Sequence, residues 1–340
     1  MEAPPTRYLW FFLILLLVLA ADFGGLLAVF FIGIAFIPAL LYLNWFRNFE
    51  KHDPEPWGAL YQAFFWGAIT GIILAGLVNS VLVGIVDLAA GEAVAIVVGA
   101  VIIAPFVEEF LKALGMMRAG VKEEVDEVED GLVYGAACGL GFAATENLMY
   151  GWSVVGEGVA VTAVVIVMRT FSATLVHASA TSFTGHGLSL HLVHGASWRV
   201  VAKYYLMAVG LHAFWNGMMT LVYYDFLPVI GFIFALIVAI GALQFSRNKI
   251  RELDEKRVDL TYQQELDQQP SAGDWWSQSQ RKWEGRGVAW NNREAARRQE
   301  HADHEKQAHL AQAQRRAEAA APLHEAARDG DAWATYQRER

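Results

Sequence analysis

Cysteine is almost missing from this 340-residue chain: Cys138 stands alone, so no intramolecular disulfide can form. Basic charge is also scarce, with 26 Lys and Arg against 35 Asp and Glu and a formal net charge of −9. An acidic chain of this kind argues against nucleic acid as the main partner. No internal repeat is visible. The helical zinc pattern H-E-x-x-H occurs nowhere, and no serine sits in a G-x-S-x-G nucleophile turn. Asp22, Asp87 and Asp225 fall at the ends of apolar runs, which excludes a membrane-buried pair of aspartates.

What the chain has in abundance is long hydrophobic runs. Runs of about 18 or more apolar residues can cross the ~30 Å hydrocarbon core as helices. They are read at roughly 8–21, 25–45, 58–86, 93–117, 131–151, 159–184, 201–224 and 229–246. The fold expected is therefore an all-α, polytopic transmembrane bundle of about eight spans over residues 1–246, surrounded by lipid bilayer. The first run is short and ends at Ala20-Ala21-Asp22, which leaves a cleaved signal peptide open.

Charge sets the expected orientation. With a cytoplasmic N-terminus, the inside segments carry Arg7, Arg47, Lys51, Arg118, Lys122, Arg199, Lys203, Arg247, Lys249 and Arg251. The opposite turns carry Asp22, Asp87, Glu92, Glu157 and Asp225 and no basic residue. That asymmetry predicts a multi-pass protein with both termini and the segment 185–199 in the cytoplasm.

Residues 247–340 read as a separate, soluble tail. They hold 17 of the 26 basic residues, balanced by 17 acidic ones, so the negative excess belongs to 1–246. The stretch 270–292, with Trp275, Trp276, Trp283 and Trp290, reads as irregular. Residues 293–328 favour helix but lack an apolar face, which predicts a solvated helix or a partly disordered segment. His301, His304 and His309 are read as surface residues rather than ligands.

Ionisable groups inside spanning helices are costly, and each is a functional candidate. They are Glu108, Glu109 and Lys112 on the fourth run, Glu146 and Asn147 on the fifth, Arg169 and His177 on the sixth, and His212 with Asn216 on the seventh. From the expected cytoplasmic ends, Glu108 and Glu109 lie about 13 Å deep, His177 about 10 Å and His212 about 15 Å. Asn216 follows His212 by one helical turn. Pro105 lacks an N–H and leaves the Val101 carbonyl without its partner, bending the helix just before the two acids. Lys112 lies at i+4 from Glu108 and i+3 from Glu109 and can pair with either. Glu146 and Arg169 are both about 22 Å deep, off this layer, and are expected to pair and hold their helices in register, a catalytic or ligand role for Glu146 being the alternative.

A carboxylate that takes a proton from water, histidines that assist or bind a metal, and an amide that donates to an oxyanion make a hydrolytic set. Buried carboxylates and histidines also build proton relays, so a proton-coupled transporter or channel is the alternative. His186, His191 and His194 form a weaker cluster on 185–199, where the spacing of the last two permits shared metal binding.

The segment Ala104-Pro105-Phe106-Val107-Glu108-Glu109-Phe110-Leu111-Lys112 resembles the A-P-x-x-E-E-x-x-K signature of the PrsW family of intramembrane proteases. The likeness continues through Asp130-Gly131, Tyr134-Gly135, Gly141 to Asn147, Arg169, His177-Ala178 and His212 to Asn216. It also takes in Asp53-Pro54-Glu55-Pro56 before Trp57, and it covers residues 25–245 in order. That family is related to the CAAX-type prenyl endopeptidases. The resemblance implies that Glu108 activates water with Glu109 in support. His177 and His212 would orient that water or, with Glu109, bind zinc, and Asn216 would stabilise the oxyanion. Glu146, Arg169 and Lys112 would support the site. It further implies a membrane-anchored protein substrate such as an anti-sigma factor, in the plasma membrane of a bacterium or archaeon. CAAX enzymes carry an arginine after the glutamates, where this chain has Lys112 one residue nearer, so prenylated substrates do not follow.

Overall fold

A computed structural model describes residues 6–50, 54–223 and 228–258. The expectations for 259–340, including the tail tryptophans and histidines, lie outside the described residues. Within them the architecture is an all-α membrane bundle. Helix α1 (Leu9–Phe23) turns at Gly24 into α2 (Gly25–Arg47). Helix α3 (Trp57–Phe65) passes through a π-helical turn at Trp66–Gly71 into α4 (Ile72–Ala90). In the same way α5 (Glu92–Val98) passes through a π turn at Gly99–Ile103 into α6 (Ala104–Ala113). After the short α7 (Ala119–Lys122) come α8 (Asp130–Ser153), α9 (Val159–Phe171), α10 (Ala173–His194), α11 (Trp198–Tyr223) and α12 (Pro228–Val258).

Four stretches among the described residues are long and apolar enough to span a bilayer: Gly25–Arg47, Trp57–Ala90, Glu92–Met117 and Val159–His194. They make this a multi-pass membrane protein. Their outer surfaces carry unpartnered aliphatics such as Leu77, Val81, Ile85 and Leu88 on α4, a face that matches hydrocarbon rather than water. The remaining expected runs coincide with α1, α8, α11 and α12.

Helix α8 forms the axis of the bundle, flanked by α10, α2 and α3. It is buried on all sides from Asp130 to Ala144, so its sequence shows no polar face. Small residues make this close packing possible. Gly131, Gly135 and Gly139, spaced one turn apart, meet the α10 backbone, where an added Cβ would fall 2.3–2.5 Å from the carbonyls of Gly185, Thr181 and His177. On another face Gly141 meets α3, and a Cβ there would reach within 1.8 Å of the Phe64 carbonyl. This backbone contact draws His177 against α8, where Glu146 lies.

The sixth run differs from expectation. It breaks at Ser172 (φ −125°, ψ −75°), and the second half continues as helix to His194 rather than ending near 184. Two serines of this helix bond to carbonyls of the bundle. Ser182 Oγ donates to the Ala178 and Leu132 carbonyls at 2.8 and 2.9 Å, and Ser189 Oγ to those of Val128 and His186 at 2.7 and 3.0 Å. Hydroxyls that bond back to the preceding turn let a buried helix carry polar residues at little cost.

Candidate active site

The acidic pair stands on α6 just beyond the π turn. Pro105 lies in the first turn of this helix, and a carbonyl of the irregular turn before it is satisfied from outside: Asn216 Nδ2 donates to Ala100 O at 2.8 Å. Tyr205 on α11 donates to the Phe106 carbonyl at 2.7 Å. Asn216 is thus tied to the backbone of the kink, one turn beyond His212. Its amide keeps a second hydrogen.

Lys112 is fully buried at the centre of the cluster. Its ammonium lies 2.8 Å from Glu109 Oε1, 3.4 Å from Glu108 Oε2 and 2.8 Å from His177 Nδ1, and it sits over the Phe142 ring at 4.1 Å. An ammonium only donates, so His177 Nδ1 accepts and the ring proton belongs on Nε2. That nitrogen is 2.9 Å from Glu146 Oε2. Glu146 Oε2 also meets Arg169 Nη2 at 2.6 Å. Arg169 Nε in turn donates to Asn147 Oδ1 at 3.1 Å, and Asn147 Nδ2 to Thr174 Oγ1 at 2.8 Å. The guanidinium covers the Tyr150 ring at 3.6 Å.

Glu146 therefore pairs with Arg169 and also belongs to the acid–histidine layer, from which the depth count had separated it. The extra length of α10 is the reason. Measured from the helix ends at His194, Asp130 and Trp198, His177, Glu146 and His212 are about 25, 24 and 21 Å deep.

The two adjacent glutamates have different surroundings. Glu109 is fully buried: Oε1 meets Lys112 and, at 2.9 Å, His212 Nδ1, while Oε2 accepts from Thr181 Oγ1 at 2.8 Å. Glu108 is held more loosely. Asn79 Nδ2 lies 3.3 Å from its Oε1, and His212 Nε2 3.9 Å from its Oε2. Glu108 and Glu146 face a cavity of about 300 Å³ walled by Ile72, Ala75, Phe142, Met149 and Tyr150. Of the adjacent pair, the carboxylate that faces open space is thus the one with the weaker contacts, as a group that must move a proton requires.

The donor set suits a metal ion. Ligand atoms of Glu108, His177 and His212 all lie within 4.8 Å of one another. It is Glu108, rather than Glu109, that groups with the two histidines. Two imidazoles and a carboxylate are ligand types found together in catalytic zinc sites. With Nδ1 directed at the Glu109 carboxylate, His212 leaves Nε2 free to ligate, an outer-shell arrangement common at such sites. His177 has both nitrogens engaged and would join only by releasing Lys112 or Glu146. Three carboxylates against one lysine and one arginine leave the cluster with a net negative charge when both imidazoles are neutral. That sign favours a divalent cation.

Asn79 and Thr181 are site residues that the sequence reading passed over. The signal was available for Asn79, a lone amide in an apolar run. Among the described residues, no group of three metal-ligating side chains includes His186, His191 or His194. His186 is buried in α10, and His191 Nδ1 bonds to the Ala196 carbonyl at 2.6 Å, with Trp198 on its ring at 4.3 Å.

A second set of buried carboxylates lies where residues 54–56 meet the start of α8. Arg47 clamps this segment, Nε donating to Glu55 O at 2.6 Å, and its guanidinium lies over Trp57 at 5.2 Å. The Glu55 carboxylate accepts from the Tyr134 hydroxyl beside Asp130. Asp130 Oδ2 accepts the N–H groups of Asp126 and Glu127 at 2.8 and 2.6 Å. Burial, reinforced by Asp130 and Glu50, holds the Glu55 carboxyl well above the usual range, against the Tyr134 hydrogen bond. Burial likewise pushes Asp130 up to about 7, against the bonds it accepts from Glu55 and the backbone.

Comparison with known proteins bears on the whole arrangement. The family model described as "PrsW family intramembrane metalloprotease" matches residues 55–242, more than half of the chain. A curated relative, Protease PrsW of Clostridioides difficile (strain 630), is 32% identical over 118 residues. The aligned part is 34% of this chain, and the chain spans about half the length of that relative (48%). No solved structure matches the chain.

Proposed function

The chain belongs to the PrsW family of intramembrane proteases, and from that premise we propose that it hydrolyses a peptide bond of a membrane-anchored protein. The observation that carries this reading is the buried grouping of Glu108, His177 and His212 beside a cavity that also reaches Glu146. Glu108 is the residue that takes a proton from the attacking water, since it faces the cavity and its ion pair with Lys112, at 3.4 Å, is longer than those of Glu109 and Glu146. His212, fixed by Glu109, presents Nε2 to that proton transfer. Glu109 is an orienting group, because all its contacts run to Lys112, His212 and Thr181. Asn216, one turn beyond His212, retains one amide hydrogen with which to meet an oxyanion.

Glu108, His177 and His212 are the residues that would hold a divalent ion such as zinc. When bound, such an ion activates water and polarises the scissile carbonyl. Lys112 and Arg169 offset the three carboxylates, so the site can hold its acids ionised without unfolding.

The substrate class extends to anti-sigma factors and the location to a bacterial or archaeal plasma membrane, with both termini cytoplasmic. The acidic outer turns and basic inner segments support that orientation. The buried chain Glu109–Lys112–His177–Glu146 could also relay protons, which keeps a proton-coupled transporter as the second reading. Reconstitution in sealed liposomes without an ion gradient separates the two. A hydrolase cleaves a co-reconstituted single-pass protein there, whereas a transporter cleaves nothing and acidifies the lumen once a gradient is imposed. Elemental analysis of the same active protein tests the metal: full cleavage by metal-free protein would remove zinc from the account.

A further inference from the structure

Asn79 lies on α4, in the middle of a helix that is aliphatic and small elsewhere except for Asp87 near its end. Its Nδ2 is 3.3 Å from Glu108 Oε1, and the residue lines the cavity that Glu108 and Glu146 face. Its Oδ1 is buried and has no hydrogen-bond partner among the described residues. An ionised carboxylate only accepts, so the amide must present its NH₂ to Glu108 and turn its carbonyl oxygen away. A buried acceptor left without a donor costs free energy, and native structures keep such atoms chiefly where a ligand or water completes them. Ile72, Ala75, Phe142 and Met149 in the cavity wall are apolar, and neither hydroxyl there, of Tyr150 or of Ser153, bonds to this oxygen: Ser153 Oγ donates to the Tyr150 carbonyl instead. A donor carried by what enters the cavity would complete it.

We propose that Asn79 anchors the substrate: its side-chain carbonyl accepts a main-chain N–H of the bound polypeptide while its NH₂ group positions Glu108. This rests on the hydrolase reading above. An apolar cavity next to a lone acceptor selects an unwound stretch or a helix start within a membrane span, because the N–H groups of a helix interior are already bonded. The preferred substrates are therefore single-pass segments that carry a helix-breaking pair with small or aliphatic neighbours. One amide would thus join substrate position to proton transfer, since the group that grips the chain also sets the carboxylate.

The test uses the full-length protein and a panel of synthetic poly-leucine spans of about 20 residues, each carrying one Asn-Gly pair at a different depth. In the absence of peptide, Asn79→Leu should melt at or above the native temperature, because it removes an unsatisfied buried oxygen. A clear fall in melting temperature would mark Asn79 as structural and overturn the proposal. With the best-cleaved peptide in liposomes, Asn79→Leu should lower kcat/KM about tenfold or more, with a rise in KM and a shifted pH profile. Replacing the amide next to the scissile bond by an ester removes the N–H. That change should slow the native protein by about tenfold and leave Asn79→Leu almost unaffected. Equal losses in both proteins would exclude the contact. If the native protein cleaves no peptide, the hydrolase reading itself fails and this inference falls with it; cleavage that is indifferent to Asn79→Leu refutes the inference alone.

Discussion

Two groups of buried carboxylates occupy this bundle, and they are stabilised in opposite ways. In the mid-bundle group, Glu108, Glu109 and Glu146 each lie within 3.4 Å of a lysine or arginine, and two histidines complete the network. In the group at the start of α8, Glu55 and Asp130 are held by a phenol and by backbone N–H groups. The first group shares its burial with paired cations, which suits proton transfer and cation binding. The second keeps a proton near neutral pH, which suits a fastening between the 54–56 segment and α8. The same residue type serves chemistry or architecture according to whether a cation shares its burial.

The sharpest way to break this contrast is to remove the cation. Lys112→Met leaves Glu108 and Glu109 as adjacent buried like charges and should cost about 3–5 kcal/mol, read as lost folded yield and a lower melting temperature in detergent. Adding Glu109→Gln to that variant should restore part of the loss. Unchanged yield in Lys112→Met would mean that the ammonium is not what holds the acids.

The second group predicts a pH effect of a definite sign. The folded-state pKa of Asp130 is raised to about 7 from a reference of 3.8, so the folded protein binds the extra proton. The stability from this group is full below pH 4 and is lost as pH rises towards 7, with a slope of at most about 1.4 kcal/mol per pH unit. Thermal unfolding of Asp130→Asn should show a smaller slope, the remainder coming from Glu55, whose carboxyl pKa burial also raises. A native melting temperature that rises over the same window in proportion to Asp130 ionisation would contradict the assignment.

The smallest effect sharpens the comparison inside the first group. Thr181→Val removes one of the bonds to Glu109 and should cost about 1–2 kcal/mol, measured by denaturation. Cleavage should persist at a reduced rate, because His212 and Lys112 still hold that carboxylate.

Much of this arrangement could be read from residue types and spacing. The i+3 and i+4 relation brought Lys112 to both acids, and matched depths joined Glu146 to Arg169. Pro105 marked the irregular turn before the acidic pair. Three features were hidden. Helix α10 runs on to His194 because its serines bond to neighbouring carbonyls, and polar composition alone reads as loop. That error placed His177 too near the helix end and separated Glu146 from the layer it belongs to. Which carboxylate groups with the histidines depends on the rotation of α6, which adjacent Glu108 and Glu109 leave open. Asn216 faces the Ala100 carbonyl only because a π turn presents it. The family likeness compensates for part of this, since it rests on the order of motifs rather than on depth.

The central claim is that the mid-bundle group is a hydrolytic site, and one measurement addresses it directly. Native protein and the variants Glu108→Ala, His177→Ala and His212→Ala are compared in liposomes for cleavage of a single-pass membrane protein, with insertion and melting checked on each. The account predicts cleavage by the native protein and none by the three folded variants. Near-native cleavage by all three would contradict it.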